Sequence, residues 1–129
     1  MKKLIISLVL GSALFLPANS AFASSGWDYV GESTFSKASV PVKSTGGDFK
    51  VCLAEGWSWE GYVKLMENDP DGKDEVVDPL LDFGKWLDKD HCAVWTNLDK
   101  YVDGDNNRAE FYIVKSQGDD VKIRIYYYD

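Results

Sequence analysis

Apolar and polar residues alternate along most of this chain with a period of two. Val121, Ile123, Ile125 and Tyr127 interleave with Lys122, Arg124, Tyr126 and Tyr128, which is the pattern of a strand with one buried face. Residues 109–115 set Phe111 and Ile113 against Tyr112 and Val114. Ser116-Gln117-Gly118-Asp119-Asp120 lies between these two segments as a turn, so the pattern predicts a hairpin. Upstream, Phe49, Val51 and Leu53 alternate with Lys50, Cys52 and Ala54 after a Ser44-Thr45-Gly46-Gly47-Asp48 turn. Residues 27–30, 34–42, 62–66 and 91–96 read as further strands. Residues 78–90, around Leu80, Leu81, Phe83 and Leu87, fit either a short strand or one helical turn. Outside the N-terminal segment no stretch of ten residues keeps a 3.6 period. The expectation is all-β: a single antiparallel β-sandwich of about seven to eight strands, with a small β-barrel as the alternative.

The N-terminal segment follows a different logic. Lys2 and Lys3 precede an apolar run from Leu4 to Leu16, Pro17 breaks the run, and Ala21-Phe22-Ala23 places small residues where a signal peptidase reads them. The run is short for a membrane span. Residues 1–23 are therefore expected to be a cleaved secretory signal, and residues 24–129 one secreted β domain, released as a monomer.

Charge narrows the partners. The chain carries 14 Lys and Arg against 21 Asp and Glu, for a net charge of −7. Loss of Lys2 and Lys3 makes the mature domain more acidic still. Such a surface repels nucleic acid and anionic membranes. Cys52 and Cys92 are the 2 cysteines, and outside the cell an even pair points to a disulfide. Closing a loop of that length is worth roughly 4 kcal/mol in the chain-entropy account.

The strongest hint of chemistry is Glu67-Asn68-Asp69-Pro70-Asp71-Gly72-Lys73-Asp74-Glu75-Val76-Val77-Asp78. Asp69-Pro70-Asp71-Gly72 is a turn sequence in which proline presets φ and glycine supplies a left-handed residue. A turn alone does not call for Glu67, Asp74, Glu75 and Asp78 around it, because crowded carboxylates raise one another's pKa. Calcium takes six to eight oxygens at about 2.4 Å and suits such a cluster. The helix–loop–helix calcium pattern fails here, since Asp74 and Asp78 fall at the wrong places and no helices flank the loop.

Leu65-Met66-Glu67-Asn68-Asp69 followed by Glu75-Val76-Val77 resembles a calcium loop of the synaptotagmin-like, protein-kinase-C conserved-region-two β-sandwiches. That family favours aspartate where Glu67 and Glu75 stand, and glycine where Asp78 stands. The resemblance implies calcium as cofactor, with Glu67, Asp69 and Glu75 among the ligands; lipid binding is not carried over. Asp74 completes the expected set, and Asp71 is expected to face solvent. A second acidic loop adds Asp103 and Asp105, with Glu110 just inside the following strand. The two loops can share an ion only if they meet at one end of the fold.

Trp57 and Trp59, bracketed by Gly56 and Gly61, offer an alternative chemistry, because exposed indole faces stack on sugar rings. His91 is the sole histidine and, beside Cys92, is expected to be structural. No nucleophile elbow, zinc-ligand spacing or phosphate loop occurs, so no catalytic residues are assigned. The expected function is a secreted, calcium-stabilised β-sandwich that binds an extracellular ligand, protein or polysaccharide. A carbohydrate-binding protein using Trp57 and Trp59 is one alternative; a secreted toxin, inhibitor or inter-bacterial effector is another.

Overall fold

The structure is a computed structural model that describes residues 26–78, 84–103 and 106–129. These residues form nine strands: β1 (Tyr29–Phe35), β2 (Val42–Ser44), β3 (Phe49–Leu53), β4 (Glu60–Glu67), β5 (Glu75–Val76), β6 (Lys85–Asp88), β7 (Cys92–Trp95), β8 (Ala109–Gln117) and β9 (Ile123–Tyr128). A 3-10 turn at Asp99–Tyr101 joins β7 to β8. One sheet runs β1-β9-β3-β7. The other runs β2-β8-β4, and β5 and β6 both pair with the free side of β4. All pairings are antiparallel.

The two-residue period decides which side chains meet between the sheets. Phe49, Val51, Ile123, Ile125 and Tyr127 project inward from one sheet, and Val63, Leu65, Phe111 and Ile113 from the other; each is at most 1% exposed. Phe49 bridges the layers, its ring 5.1 Å from that of Phe111 and 5.8 Å from that of Tyr127. Each such burial contributes roughly 1.5–3 kcal/mol. The expected sandwich and its disulfide are both present: Cys52 and Cys92 are bonded, opposite one another on neighbouring strands β3 and β7.

Pairing differs from expectation in one respect. β8 and β9 are not a hairpin. β8 pairs with β2 and β4, whereas β9 pairs with β1 and β3 in the other sheet. Residues 118–122 carry the chain across the roughly 10 Å between layers. Both strands have a complete apolar face, so periodicity is satisfied by either arrangement. The chain changes sheet at every connection except β4–β5–β6. Residues 27–30 and 34–42 also resolve differently, because β1 takes up 29–35 and the chain then turns over the sandwich edge. There Ser39 Oγ accepts from Ile113 N at 2.7 Å and from the Tyr127 hydroxyl, tying one sheet to the other. Of the ambiguous 78–90 stretch, 85–88 is strand β6; Leu80, Leu81 and Phe83 lie outside the described residues.

Candidate functional site

Strand β4 ends at the site. Val63, Leu65 and Glu67 share its inward face, so the alternation that buries two aliphatic side chains also buries a carboxylate at the rim of the core. Glu67 is 4% exposed. Asn68 N donates to Glu110 O at 2.8 Å, holding the start of β8 against the end of β4. Past the 3-10 turn, an isolated bridge between Asp103 and Arg108 folds the second acidic loop back on itself. Asn106 Nδ2 donates to Glu110 Oε1 at 2.7 Å. The result is that one carboxylate oxygen each from Glu67, Asp103 and Glu110 lies within 4.8 Å of the other two. The two acidic loops do meet at one end of the sandwich.

Burial pushes the Glu67 carboxyl up to about 7, and the neighbouring charges of Asp103, Asp69, Glu75 and Glu110 push in the same direction. Glu67 is a nearly buried acid facing two more acids, an arrangement in which burial and like charge both disfavour the ionised form. Twice a calcium–oxygen distance is about 4.8 Å, so the three oxygens fit on one calcium shell.

The other predicted ligands have different tasks. Asp69 Oδ1 accepts from Asp71 N at 2.9 Å, forming the turn, and Asp71 is exposed there as expected. The backbone nitrogen of Asp69 donates to Asp74 Oδ1 at 3.1 Å, and the Tyr112 hydroxyl donates to Asp74 Oδ2 at 2.6 Å. Burial first, and this bond second, push the Tyr112 hydroxyl up to about 12. Asp74 therefore organises the turn and stands outside the carboxylate cluster. Glu75 pairs with Glu67 across β4 and β5 but is exposed. Asp78, 8% exposed, accepts from Trp95 Nε1 at 3.0 Å. Asp105 lies outside the described residues. Gly72 is not left-handed, unlike Gly46 and Gly47 at φ 96° and 72°; a Cβ at Gly72 would sit 2.7 Å from Asp69 Oδ2. Glu110 is the cluster member that sequence spacing did not select. Its signal was its place just after the second acidic loop.

The tryptophan pair is not an exposed platform. Trp59 is 6% exposed, and its ring fills the space left by Gly61 and Gly118, where a Cβ would come within 2.6 Å. Its Nε1 donates to Asp119 O at 3.3 Å. Trp57 is half-buried against the core. His91 is exposed and pairs with Asp88 at 2.6 Å across the β6–β7 turn, which holds the Asp88 carboxyl down to about 2.

A family model described as YndA coiled coil domain matches residues 29–125. The chain belongs to that family. It is 32% identical over 125 residues to the uncharacterized protein YndA of Bacillus subtilis (strain 168), covering 92% of this chain and 91% of the relative. Over the matched positions this member forms strands, with no α-helix among the described residues. No solved structure matches the chain.

Proposed function

We propose that this chain is an exported binding module whose sandwich is clamped at one end by a calcium ion held by Glu67, Asp103 and Glu110. One observation carries the proposal: Glu67 is almost fully buried and faces two further carboxylates within 4.8 Å. Burying an ionised carboxylate without a partner costs several kcal/mol unless it protonates or meets a cation. A divalent ion supplies the missing charge, and backbone carbonyls and water complete its oxygen shell. Export agrees with the Cys52–Cys92 disulfide, which persists outside reducing compartments, and with the signal-like pattern of residues 1–23. No pair of groups in the carboxylate cluster is set up as nucleophile and base, so binding is favoured over catalysis.

Calcium that binds only the folded state raises its stability by RT ln(1 + [L]/Kd), about 2.7 kcal/mol at a hundredfold excess over Kd. Thermal melts of the oxidised protein in millimolar calcium and in chelator test this. The midpoint should rise with calcium in the native chain and stay fixed in Glu67→Gln. Equal midpoints for the native chain in both buffers would sink the metal site.

A further inference from the structure

The end of the sandwich that holds the carboxylate cluster also holds a surface cavity of about 460 Å³ lined by Gly26, Trp27, Gly46, Gly47, Asp48 and Asp129. The β2–β3 turn, the approach to β1 and the end of β9 converge there. Trp27 is 39% exposed. Lys50 Nζ lies 4.7 Å from the centres of both the Trp27 and Tyr128 rings, between β3 and β9, and so fixes the indole beside the cavity. Tyr29, 56% exposed, meets the Tyr126 and Tyr128 rings edge-on at 5.9 and 6.1 Å. An aromatic strip therefore leads from the cavity over the outer face of the β1-β9-β3-β7 sheet.

The polar lining is equally specific. Asp129 receives the Ser44 hydroxyl on Oδ1, and Thr45 N at 2.9 Å and Thr45 Oγ1 at 2.6 Å on Oδ2. These three neutral donors fix the carboxylate in place, and its remaining lone pairs can accept a further hydroxyl. Asp48 Oδ1 accepts from Asn97 N at 3.3 Å, which leaves Oδ2 for a ligand. Gly46 and Gly47 hold left-handed conformations that bring bare backbone to the cavity wall. The turn is pinned from behind, since Leu98 N donates to Gly47 O at 2.7 Å and Gly47 N donates to Asp99 Oδ1 at 2.8 Å.

An indole and carboxylate acceptors lining one cavity are the chemistry that recognises a pyranose: the C–H face of the ring packs on the aromatic, and its hydroxyls donate to carboxylates. Two aspartates in the lining, on a chain of net charge −7, disfavour an anionic ligand. The cavity lies within the size range of small-ligand sites. We propose that Trp27, Asp48 and Asp129 form a binding site for a neutral sugar unit, and that Tyr29, Tyr126 and Tyr128 extend it along an oligosaccharide. The proposal rests on the binding-module function above and deepens it by naming the ligand class; it does not need the calcium ion.

The test is calorimetric titration of the oxidised protein with cellohexaose, maltohexaose, chitohexaose and the anionic polygalacturonate, each in calcium and in chelator. At least one neutral oligosaccharide should bind, with Trp27→Ala weakening it about tenfold or more and Asp48→Asn weakening it less. Trp86→Ala, which removes an exposed indole on β6, should leave affinity unchanged, and all three variants should melt near the native midpoint. No binding to any neutral oligosaccharide, tighter binding to polygalacturonate, or full affinity in both Trp27→Ala and Asp48→Asn would overturn the site. Binding in chelator supports it even if calcium proves not to stabilise the fold, so the two failures are separable.

Discussion

Glu67, at the end of β4, and Asp103, beyond the 3-10 turn, place carboxylate oxygens within 4.8 Å of one another although they come from different acidic loops. Their proximity is the source of the most direct prediction about pH.

In chelator, the Glu67 carboxyl titrates at about 7 in the folded chain against an ordinary 4.5. Between those values the folded state keeps a proton that the unfolded state has released, so this group's contribution is full below 4.5 and is lost as pH rises through about 7. The loss is on the order of 3 kcal/mol. Urea unfolding between pH 5 and 8 should show native stability falling across that window. Glu67→Gln should flatten this decline and be the more stable protein at pH 8 in chelator.

Reducing the Cys52–Cys92 bond should cost roughly 2–4 kcal/mol. Cys92 is exposed, so a dithiol reductant should reach the bond in the folded protein. The prediction is a lower urea midpoint on reduction, matched by the Cys52→Ala/Cys92→Ala double variant without reductant. An unchanged midpoint would show that the β3–β7 pairing is sufficient by itself.

Tyr127→Phe removes the hydroxyl that donates to Ser39 Oγ and approaches Val40 O at 3.1 Å. The ring remains packed against Phe49, so the expected loss is about 0.5–1.5 kcal/mol, the net range for an intramolecular hydrogen bond. Ser39→Ala should cost more than Tyr127→Phe, because it also leaves Ile113 N without its acceptor inside the sandwich. Chemical denaturation of the two variants and their double mutant measures the coupling.

Trp95→Phe keeps an aromatic ring in the core but strips Asp78 of the indole donor at 3.0 Å. A buried carboxylate left without that bond should cost about 1–3 kcal/mol. Adding Asp78→Asn to Trp95→Phe should recover part of the loss, because the remaining group is then neutral; urea midpoints decide it.

Much of this architecture is legible in the sequence. The alternation through Phe49–Leu53, Phe111–Ile113 and Ile123–Tyr127 gave strands and their buried faces, and the turn at Asp69–Gly72 was recognisable by its residues. The acidic cluster was legible only in part. Glu67 and Asp103 were visible as candidates, but Asp74 is engaged by Tyr112, and Glu110, visible beside the second loop, was not among the expected ligands. Spacing reports how acids crowd along a chain, whereas ligand sets depend on which loops the strands deliver to one end. The tryptophans teach the same lesson: Trp59 sinks over two glycines, and Trp27, which the sequence did not single out, stands beside the cavity.

By itself, then, the sequence determined that this protein is built of strands, which side chains each strand buries, and that its two cysteines pair. Those properties are local, or follow from counting. The tertiary structure decided that β8 and β9 lie in opposite sheets, that Glu67 faces Asp103 and Glu110, and that Trp27 borders a polar cavity. Each depends on contacts between distant segments, and a two-residue period is satisfied equally by several partners. Packing two apolar faces without leaving either uncovered is what selects among them.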